Sequence, residues 1–384
     1  MGYMRYIQHF VKNDLKKKMV FISGPRQCGK TTLVKDLIKG TKSLYLNWDD
    51  IDHRQLILKR EWSDEQKIIA LDEIHKFSRW KNFLKGTYDT QNEIHHFIIT
   101  GSARLDIYKK GQDSMLGRFF SWRLHPLCLA ELKNNLKNKQ THNLDDLLEY
   151  GGFPEPFFSR DSVFSKRWRK ERINLIFRQD IQELENIRDI SLLEIFYFQL
   201  TERVGSEVIL SNIARDIEIA PKTAKAWLQV LDKTYTLFSI TPYSTNMAKA
   251  IVKAPKVYFY DNGEVKGDIG AKFENLVANH LLKKIHYLED STGERYELHY
   301  LRDRNGHEVD FLICKNRTPY LLIEVKVSDT ARSSSLFYFK EKLKVKHAIQ
   351  LVKEFKGIET KNGVSVINAE DWLSRDLNCD LHTS

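Results

Sequence analysis

The chain is poor in the residues that mark secreted, metal-bound and membrane proteins. It has 4 cysteines in 384 residues, and no two of them form a C-x-x-C pair. This argues against a disulfide framework and a cysteine zinc site, and a reducing compartment is expected. No apolar run approaches the roughly 20 residues that a membrane-spanning helix needs. The N-terminus also lacks the features of a secretion signal. These absences together predict a cytoplasmic protein with no membrane partner.

Positive charge is what the chain has in excess. Its formal net charge is +10, which favours acidic partners, and nucleic acid is the commonest of these. The length of 384 residues suggests two or three domains, and a hydrophobic content of 42% is ample for their cores. Internal repeats and low-complexity tracts are absent. The composition therefore predicts a multidomain globular protein, with DNA or another nucleic acid as a candidate partner.

Four short apolar runs alternate with helix-like patterns in the first 130 residues. They cover residues 19–23, 43–47, 67–71 and 96–101. Runs of this length, rich in Ile, Leu, Phe and Tyr, are typical of strands that are buried on both faces of a parallel sheet. Alternation of such strands with helices predicts a doubly wound α/β domain.

A glycine-rich loop follows the first predicted strand. Residues 24–31 match G-x-x-x-x-G-K-[ST] between a predicted strand and a predicted helix, which is the context that this motif requires. The glycines let backbone N–H groups face phosphate oxygens, and the helix adds its positive N-terminus. Lys30 is expected to reach the β- and γ-phosphates of ATP, and Thr31 to bind Mg²⁺. The predicted nucleotide-binding residues are Gly24, Pro25, Arg26, Gln27, Cys28, Gly29, Lys30, Thr31 and Thr32.

An acid pair ends the third predicted strand. Asp72 is expected beside the magnesium ion, and Glu73 is then available to orient or deprotonate the attacking water. Thr100, at the end of the next strand, is a candidate sensor of the γ-phosphate. The alternative to a phosphate site is a glycine turn with an incidental lysine. A small-molecule kinase is the main rival among phosphate-loop proteins, but an acid pair after an intervening strand favours ATP hydrolysis.

Hydrolysis at such a site often depends on an arginine from a neighbouring subunit. Arg104 and Arg118 follow the strand that carries Thr100, and either can serve this role. A structural ion pair or a solvated side chain is the alternative for each. An arginine supplied from a neighbour predicts a homo-oligomer, either a ring or a dimer.

Residues 209–231 have the pattern of a helix–turn–helix. Pro221 suits the first turn of the second helix, where its missing N–H costs little. Lys222 and Lys225 are expected to project away from the core, so that this helix can enter a DNA major groove. The alternative is an interdomain or oligomer contact, and sequence-specific recognition is poorly supported.

The last third of the chain contains four spaced charged residues: Glu274, Asp310, Glu324 and Lys326. The period of a strand places Glu324 and Lys326 on one face, and a hairpin turn within 315–319 brings Asp310 alongside them. Two carboxylates that hold Mg²⁺ or Mn²⁺ beside a lysine suit phosphodiester cleavage. Asp310 and Glu324 are thus candidate metal ligands in a D…(D/E)xK pattern. The alternative is a degenerate fold with an ordinary surface ion pair.

Taken together, these pieces resemble prokaryotic AAA-type ATPases that carry a C-terminal domain of unknown function 4143. Besides the four charged residues, the matching stretches are 23–33, 71–75, 100–102, 116–118, 150–155, 178–180 and 260–262. The resemblance implies an α/β protein: an ASCE-type P-loop fold, a winged helix and a PD-(D/E)xK nuclease-like fold. One departure is Asn262, where the family usually has glycine. Whether the chain makes the family's usual turn at this position is therefore left open.

The expected segments are a P-loop ATPase domain (1–140), a helical lid or linker (141–190), a winged-helix-like domain (191–262), and a nuclease-like domain with a tail (263–384). Our first hypothesis is an ATPase whose nucleotide state controls a nucleic-acid-engaging, metal-dependent nuclease module. The second is a nucleotide-dependent switch or scaffold that contacts DNA or protein without cleavage. In a third, the true target is a partner protein.

Overall fold

A parallel sheet forms the centre of the first of two units, Met1–His125. Five strands belong to it among the described residues, which are 3–101, 115–134, 143–182, 189–244, 254–377, 379 and 381. The strands are β1 (Met19–Ser23), β2 (Ser43–Asn47), β3 (Ile68–Asp72), β4 (His96–Gly101) and β5 (Phe119–Arg123). Their order is β2-β3-β4-β1-β5, and all neighbours are parallel. The predicted α/β sheet is confirmed, and β5 is a strand that the sequence patterns did not indicate.

Helices cover both faces of this sheet, which explains the near-continuous apolar strands. They are α1 (Gln8–Leu15), α2 (Lys30–Ile38), α3 (Ile51–Lys59) and α4 (Trp80–Gln91), with a short 3₁₀ turn at Ile74–Lys76. Alternate residues of β1, β3 and β4 share one core cluster with two residues of α4. They are Met19, Phe21, Ile69, Leu71, Phe97, Ile99, Trp80 and Leu84. Burial of each large apolar side chain contributes about 1.5–3 kcal/mol, so the sheet is a rigid base for loops at its carboxyl edge.

The second unit, Pro126–Ser384, begins with helices. They are α5 (Leu129–Asn134), α6 (Leu144–Tyr150), α7 (Pro154–Ser159), α8 (Ser162–Leu175), α9 (Ile190–Thr201), α10 (Leu210–Asp216) and α11 (Pro221–Lys233). A π-helical turn, Ile176–Ile181, extends α8, so the hydrogen-bonding pattern of this helix changes in its last part. The predicted helix pair of the helix–turn–helix corresponds to α10 and α11, and Pro221 begins α11 as expected.

An eight-stranded mixed sheet follows in the described part of the second unit, in the order β12-β13-β11-β10-β9-β8-β6-β7. Its strands are β6 (Leu237–Pro242), β7 (Lys256–Phe259), β8 (Tyr296–Arg302), β9 (Glu308–Lys315), β10 (Thr318–Lys326), β11 (His347–Val352), β12 (Ile358–Lys361) and β13 (Val364–Asn368). The accompanying helices are α12 (Ile269–Thr292), α13 (Ser334–Leu343) and α14 (Ala369–Leu373), with a 3₁₀ turn at Asn262–Glu264. The β6–β7 hairpin joins the remaining strands through β8. The predicted lid, winged-helix and nuclease-like segments all lie in this unit. Residues 126–140, which were predicted as part of the ATPase domain, lie in it as well.

The predicted hairpin turn between β9 and β10 is confirmed. Asn316 and Arg317 both have left-handed backbones, with φ of 51° and 67°. Two such residues in succession match the twist of the flanking antiparallel strands. Next to the turn, Pro319 pairs with Cys314, and the register then shifts by one residue between Pro319 and Leu321. Leu322 therefore pairs with Leu312 and Ile323 with Phe311, and this shift brings Glu324 to the level of Asp310.

No described helix has the length and apolar character that crossing a bilayer demands. All four cysteines are free thiols, in agreement with the absence of a disulfide framework. Arg104, one of the two candidate arginines, lies outside the described residues.

Candidate nucleotide site and acid cluster

The loop between β1 and α2 is held in shape by close backbone contacts. A Cβ atom on Gly24 would lie 2.1 Å from the carbonyl oxygen of Leu124, so only glycine fits there. Gly29, the last residue before α2, has φ of 98°, a value that glycine adopts without strain. The carbonyl oxygen of Cys28 accepts a hydrogen bond of 2.8 Å from the Arg5 guanidinium. The glycines at 24 and 29 are therefore required by geometry, as the motif predicts.

The Lys30 side chain lies over this loop. Its Nζ donates to the carbonyl oxygens of Gly24 (2.9 Å) and Pro25 (2.8 Å), and the residue is buried. No acidic residue occupies the first turn of α2, and no side chain caps it. A helix start with unclaimed N–H donors and a neighbouring ammonium is suited to bind an anion. Of the other predicted loop residues, Arg26 is half-buried, whereas Gln27 and Thr32 are exposed.

The Asp72 carboxylate accepts hydrogen bonds from hydroxyl groups on three different elements. Its Oδ2 accepts from Thr31 Oγ1 of α2 (2.8 Å) and from the Tyr45 hydroxyl of β2 (2.5 Å), and its Oδ1 accepts from Thr100 Oγ1 of β4. Asp72 pairs with Thr100 in the β3–β4 register, which explains why the two meet at the carboxyl edge. Thr100, predicted to sense phosphate, therefore orients the carboxylate that is expected to hold magnesium.

Tyr45 is the residue of this site that the sequence patterns missed. Burial and its hydrogen bond to Asp72 raise the pKa of the phenol well above its usual range, so the hydroxyl remains a donor. No local motif marks it, because a tyrosine inside an apolar strand is ordinary core composition. The parallel pairing of β2 with β3 is what places it beside Asp72.

Glu73 follows directly and has a left-handed backbone with φ of 55°. A glutamate seldom adopts this conformation, and such backbones concentrate at functional sites. The Nε2 atom of His75 lies 3.5 Å from Glu73 Oε2. Burial, with a further contribution from the charge of Lys76, lowers the pKa of His75 to about 4. The carboxylate of Glu73 thus faces a neutral imidazole at neutral pH.

The arrangement of the first unit fits Mg²⁺ and a nucleoside triphosphate. Thr31 Oγ1 and Asp72 Oδ2 are 2.8 Å apart, and hydroxyl and carboxylate oxygens are the donors that Mg²⁺ prefers. Thr31 and Asp72 would hold the ion, while Lys30 and the loop N–H groups would hold phosphates. β4 lies between β1 and β3, so the intervening strand that favours hydrolysis is present.

Arg118 makes a bidentate ion pair within its own unit. Its Nε and Nη2 atoms donate to the two carboxylate oxygens of Asp89, at 2.6 Å and 3.0 Å. This is the structural ion pair that was the alternative to an arginine finger. To act in a neighbouring subunit, Arg118 would first have to leave Asp89, and both its catalytic role and the homo-oligomer stay predictions.

In the second unit, the structure brings together the four charged residues that the sequence patterns singled out. Glu324 Oε1 lies 2.8 Å from Lys326 Nζ, and Asp310 Oδ2 accepts a hydrogen bond of 2.8 Å from the backbone N–H of Val325. Glu274, on α12, accepts a hydrogen bond of 2.7 Å from the Tyr258 hydroxyl. We call Glu274, Glu308, Asp310 and Glu324 the acid cluster.

Lys256 of β7 lies inside this cluster and was not expected. Its Nζ is 2.7 Å from Glu308 Oε1, 3.6 Å from Glu274 Oε1 and 3.9 Å from Asp310 Oδ1. The side chain is only 2% exposed. Lys256 follows a stretch with no motif, so only the pairing of β6 with β7 and β8 could have placed it beside the acids.

Burial changes the protonation of the cluster. It raises the pKa of Glu274 to about 8, with help from the negative charge of Asp310. Burial and Asp310 likewise raise the pKa of Glu324 to about 7. For Lys256, burial lowers the pKa, but the charges of Glu274 and Asp310 outweigh it and the net pKa is raised. At neutral pH the lysine is therefore charged and Glu274 is largely protonated.

These residues do not fit a metal site. In the positions that they take around Lys256, the acids of the described ranges form no set of three or more side chains that could hold an ion. The oxygens of Asp310 face the Val325 N–H and the Lys256 ammonium, and Glu324 Oε1 faces Lys326. Among the oxygens of the acid cluster, Glu324 Oε2 is buried without a hydrogen-bond partner. The predicted Mg²⁺ or Mn²⁺ ligands are thus already bound to donors of the protein itself.

Comparison with known families agrees with the two-part organisation. A model described as an AAA domain matches residues 16–133, and a model of the domain of unknown function 4143 matches residues 269–372. Between them, a domain of unknown function 8612 matches residues 141–266. The nucleotide site lies within the first of these matches, and the acid cluster lies within the third.

Two curated relatives match over most of this chain and most of their own length. The uncharacterized protein Rv2008c of Mycobacterium tuberculosis is 24% identical over 322 residues, which covers 78% of this chain and 71% of that protein. The uncharacterized protein MJ1544 of Methanocaldococcus jannaschii is 24% identical over 366 residues, which covers 86% and 80%.

Solved structures are similar only at low scores. The Aeropyrum pernix ORC1 protein in complex with DNA has a TM-score of 0.34 at 12% identity, over 72% of this chain and 94% of that one. A signal transduction ATPase with numerous domains from Pyrococcus horikoshii has a TM-score of 0.27 at 14% identity, over 76% and 48%. Scores this low support no conclusion about function. The family comparison therefore shows an AAA-domain match in the N-terminal part of the chain and a match to the domain of unknown function 4143 in its C-terminal part.

Proposed function

We propose that the first unit binds ATP with Mg²⁺ and hydrolyses it to ADP and phosphate. The observation that carries this proposal is the convergence of Thr31, Asp72 and Lys30 at the end of β1 and β3. Thr31 and Asp72 are within hydrogen-bond distance, and Lys30 lies over the glycine loop beside them. The AAA domain match covers all three residues. When bound, Mg²⁺ supplies charge neutralisation to the phosphates.

Each residue of the site has a separate task in this proposal. Lys30 exchanges its two carbonyl acceptors for phosphate oxygens, and the first turn of α2 adds N–H donors. Asp72 is held in position by three hydroxyl donors. Glu73 accepts a proton from the attacking water, because it is the carboxylate that directly follows Asp72 at the carboxyl edge of the sheet. Thr100 positions Asp72 and does not need to touch substrate.

The direct test is phosphate release by the purified full chain. Release from ATP is expected in Mg²⁺ and should fall to background in excess EDTA, because the site holds triphosphate together with the ion. Single-turnover and steady-state measurements, each with and without DNA, would detect activity that depends on a partner. Phosphate release that is unaffected by EDTA would contradict the proposed chemistry.

For the second unit we propose nucleic-acid contact through α11, in line with the scaffold hypothesis. Lys222, Lys225 and Gln229 are exposed and recur at helical spacing, so they share one face of α11. Ala224, Trp227 and Leu231 are buried on the opposite side. A helix with a fixed apolar face and a basic outer face is suited to lie against phosphate groups. The nuclease part of the first hypothesis has no comparable support, because Lys256 fills the acid cluster.

Reversal of charge at Lys222 and Lys225 tests this contact. The double substitution Lys222→Glu/Lys225→Glu is expected to weaken double-stranded DNA binding at least about tenfold and to reduce the salt slope by about 2, since each phosphate contact contributes about 1. Fluorescence anisotropy at several salt concentrations measures both. The control Lys346→Glu/Lys356→Glu makes the same change at exposed positions elsewhere in the unit. Equal losses in the two double variants would show that α11 is not the contact.

A further inference from the structure

The ammonium of Lys256 occupies the position between three acids of the second unit. It lies within 4 Å of carboxylate oxygens from Glu274 on α12 and from Glu308 and Asp310 on β9. The ring of Tyr300 also faces this ammonium, with its centroid 5.4 Å from Lys256 Nζ. This lysine is therefore surrounded by negative or hydrogen-bonding groups and an aromatic face, and it is almost fully buried.

A buried ammonium in this position competes directly with a metal ion. A divalent ion bound by Glu274 and Asp310 would need the same oxygens that face Lys256 Nζ. Repulsion between two cations at such a distance is strong away from bulk water. Lys256 also cannot move out freely, because its backbone is fixed in β7 between the β6 pairing and the bridge to Glu207.

Residues of alternating charge continue the set of ion pairs from Lys256 towards the surface. Glu308 also faces Arg302 at 3.5 Å, and Arg302 faces Glu207 at 3.3 Å. Glu207 in turn accepts a hydrogen bond from the Tyr300 hydroxyl at 2.9 Å. Within this network Lys256 is almost fully buried, so its removal leaves the neighbouring acids uncompensated, which is far more costly than breakage of a surface pair. The cluster thus has the character of a structural centre that links β7, β8, β9 and α12.

We propose that Lys256 is the resident cation of the acid cluster and takes the place of a divalent metal ion, so that the second unit is a metal-independent module. The lysine holds α12 and β9 against β7, and Asp310 and Glu324 serve this centre as structural acids. The inference is independent of ATP hydrolysis in the first unit. It predicts that removal of the ammonium creates a divalent-cation site that the natural chain lacks.

Manganese binding by the full chain without nucleotide tests this inference. Electron paramagnetic resonance or calorimetry on the natural chain and on Asp310→Ala should give equal Mn²⁺ binding. Lys256→Met should gain one site with an affinity at least about tenfold above any residual binding, because the oxygens of Glu274, Glu308 and Asp310 lose their internal cation. The double variant Lys256→Met/Asp310→Ala should lose that site again. Lys315→Met is the matched control, since it removes a lysine of β9 that is paired with Glu294 at 2.7 Å, away from the cluster.

Two results would overturn the proposal. One is a Mn²⁺ site in the natural chain that Asp310→Ala removes. The other is a folded Lys256→Met protein, judged by circular dichroism and thermal melting, that gains no site. Lys256→Gln provides a polar replacement if the methionine variant does not fold. If neither variant folds, the comparison of the natural chain with Asp310→Ala decides alone: equal binding supports the internal cation and unequal binding refutes it.

Discussion

Substitution of Glu73 by glutamine is expected to lower the rate of ATP hydrolysis by at least about 10²-fold and to leave ATP affinity nearly unchanged. Glutamine keeps the size of the side chain and loses only the ability to accept a proton. Glu73 Oε2 lies 3.5 Å from Nε2 of the neutral His75 imidazole, a contact that a glutamine amide can also make. The effect should therefore appear in kcat and not in nucleotide binding.

Three measurements separate this expectation from a folding defect. Steady-state phosphate release gives kcat, titration with a fluorescent ATP analogue gives affinity, and thermal melting reports stability. Glu65→Gln is a suitable control, because Glu65 is in the same unit, is exposed and is paired only with Lys42 at 3.2 Å. If Glu73→Gln hydrolyses ATP as fast as the natural chain, Glu73 is not the general base and the assignment of the acid pair is wrong.

The nucleotide site shows how far local patterns reach. Gly24, Gly29 and Lys30 could be placed because the motif depends on one turn between a strand and a helix. The acid pair could be placed because Asp72 and Glu73 end an apolar run. Tyr45 could not, since its role depends on the pairing of β2 with β3, which no periodicity in the sequence reveals. The left-handed backbone of Glu73 is likewise a feature of the folded chain alone.

The second unit shows what sequence patterns cannot predict about a cluster of charged residues. Strand parity and a turn within 315–319 predicted that Asp310 lies near Glu324 and Lys326, although the pairing itself depends on a register shift between Pro319 and Leu321 that the sequence patterns did not reveal. They indicated which side chains meet but not which cation lies among them. Lys256 is 18 residues before Glu274 in the sequence and lies on β7, whereas Glu274 lies on α12. It changes the chemistry of the acids that the pattern assigned to a metal. A constellation of acids is therefore informative about function only once its neighbouring cations are known.

Asp72→Asn is expected to remove the Mg²⁺ dependence of ATP affinity and to lower hydrolysis by at least about 10²-fold, since an amide is a poor ligand for a hard cation. The fold should persist, because asparagine has the same shape and the three hydroxyl groups can turn to accept as well as donate. Thr31, Tyr45 and Thr100 would then surround a neutral group. The result would place the ion at Asp72 and not merely near the loop.

Affinity for ATP measured in Mg²⁺ and in EDTA, for the natural chain and the variant, provides the readout. The natural chain should bind more tightly in Mg²⁺, and Asp72→Asn should bind equally in both conditions. Asp52→Asn, an exposed aspartate on α3 of the same unit, should behave like the natural chain. If the Asp72 variant still binds ATP more tightly in Mg²⁺ than in EDTA, to the same extent as the natural chain, the Asp72 carboxylate has a structural role. The ion would then have to be held by Glu73 or by the phosphates themselves, and the division of tasks between the two neighbouring acids would be reversed.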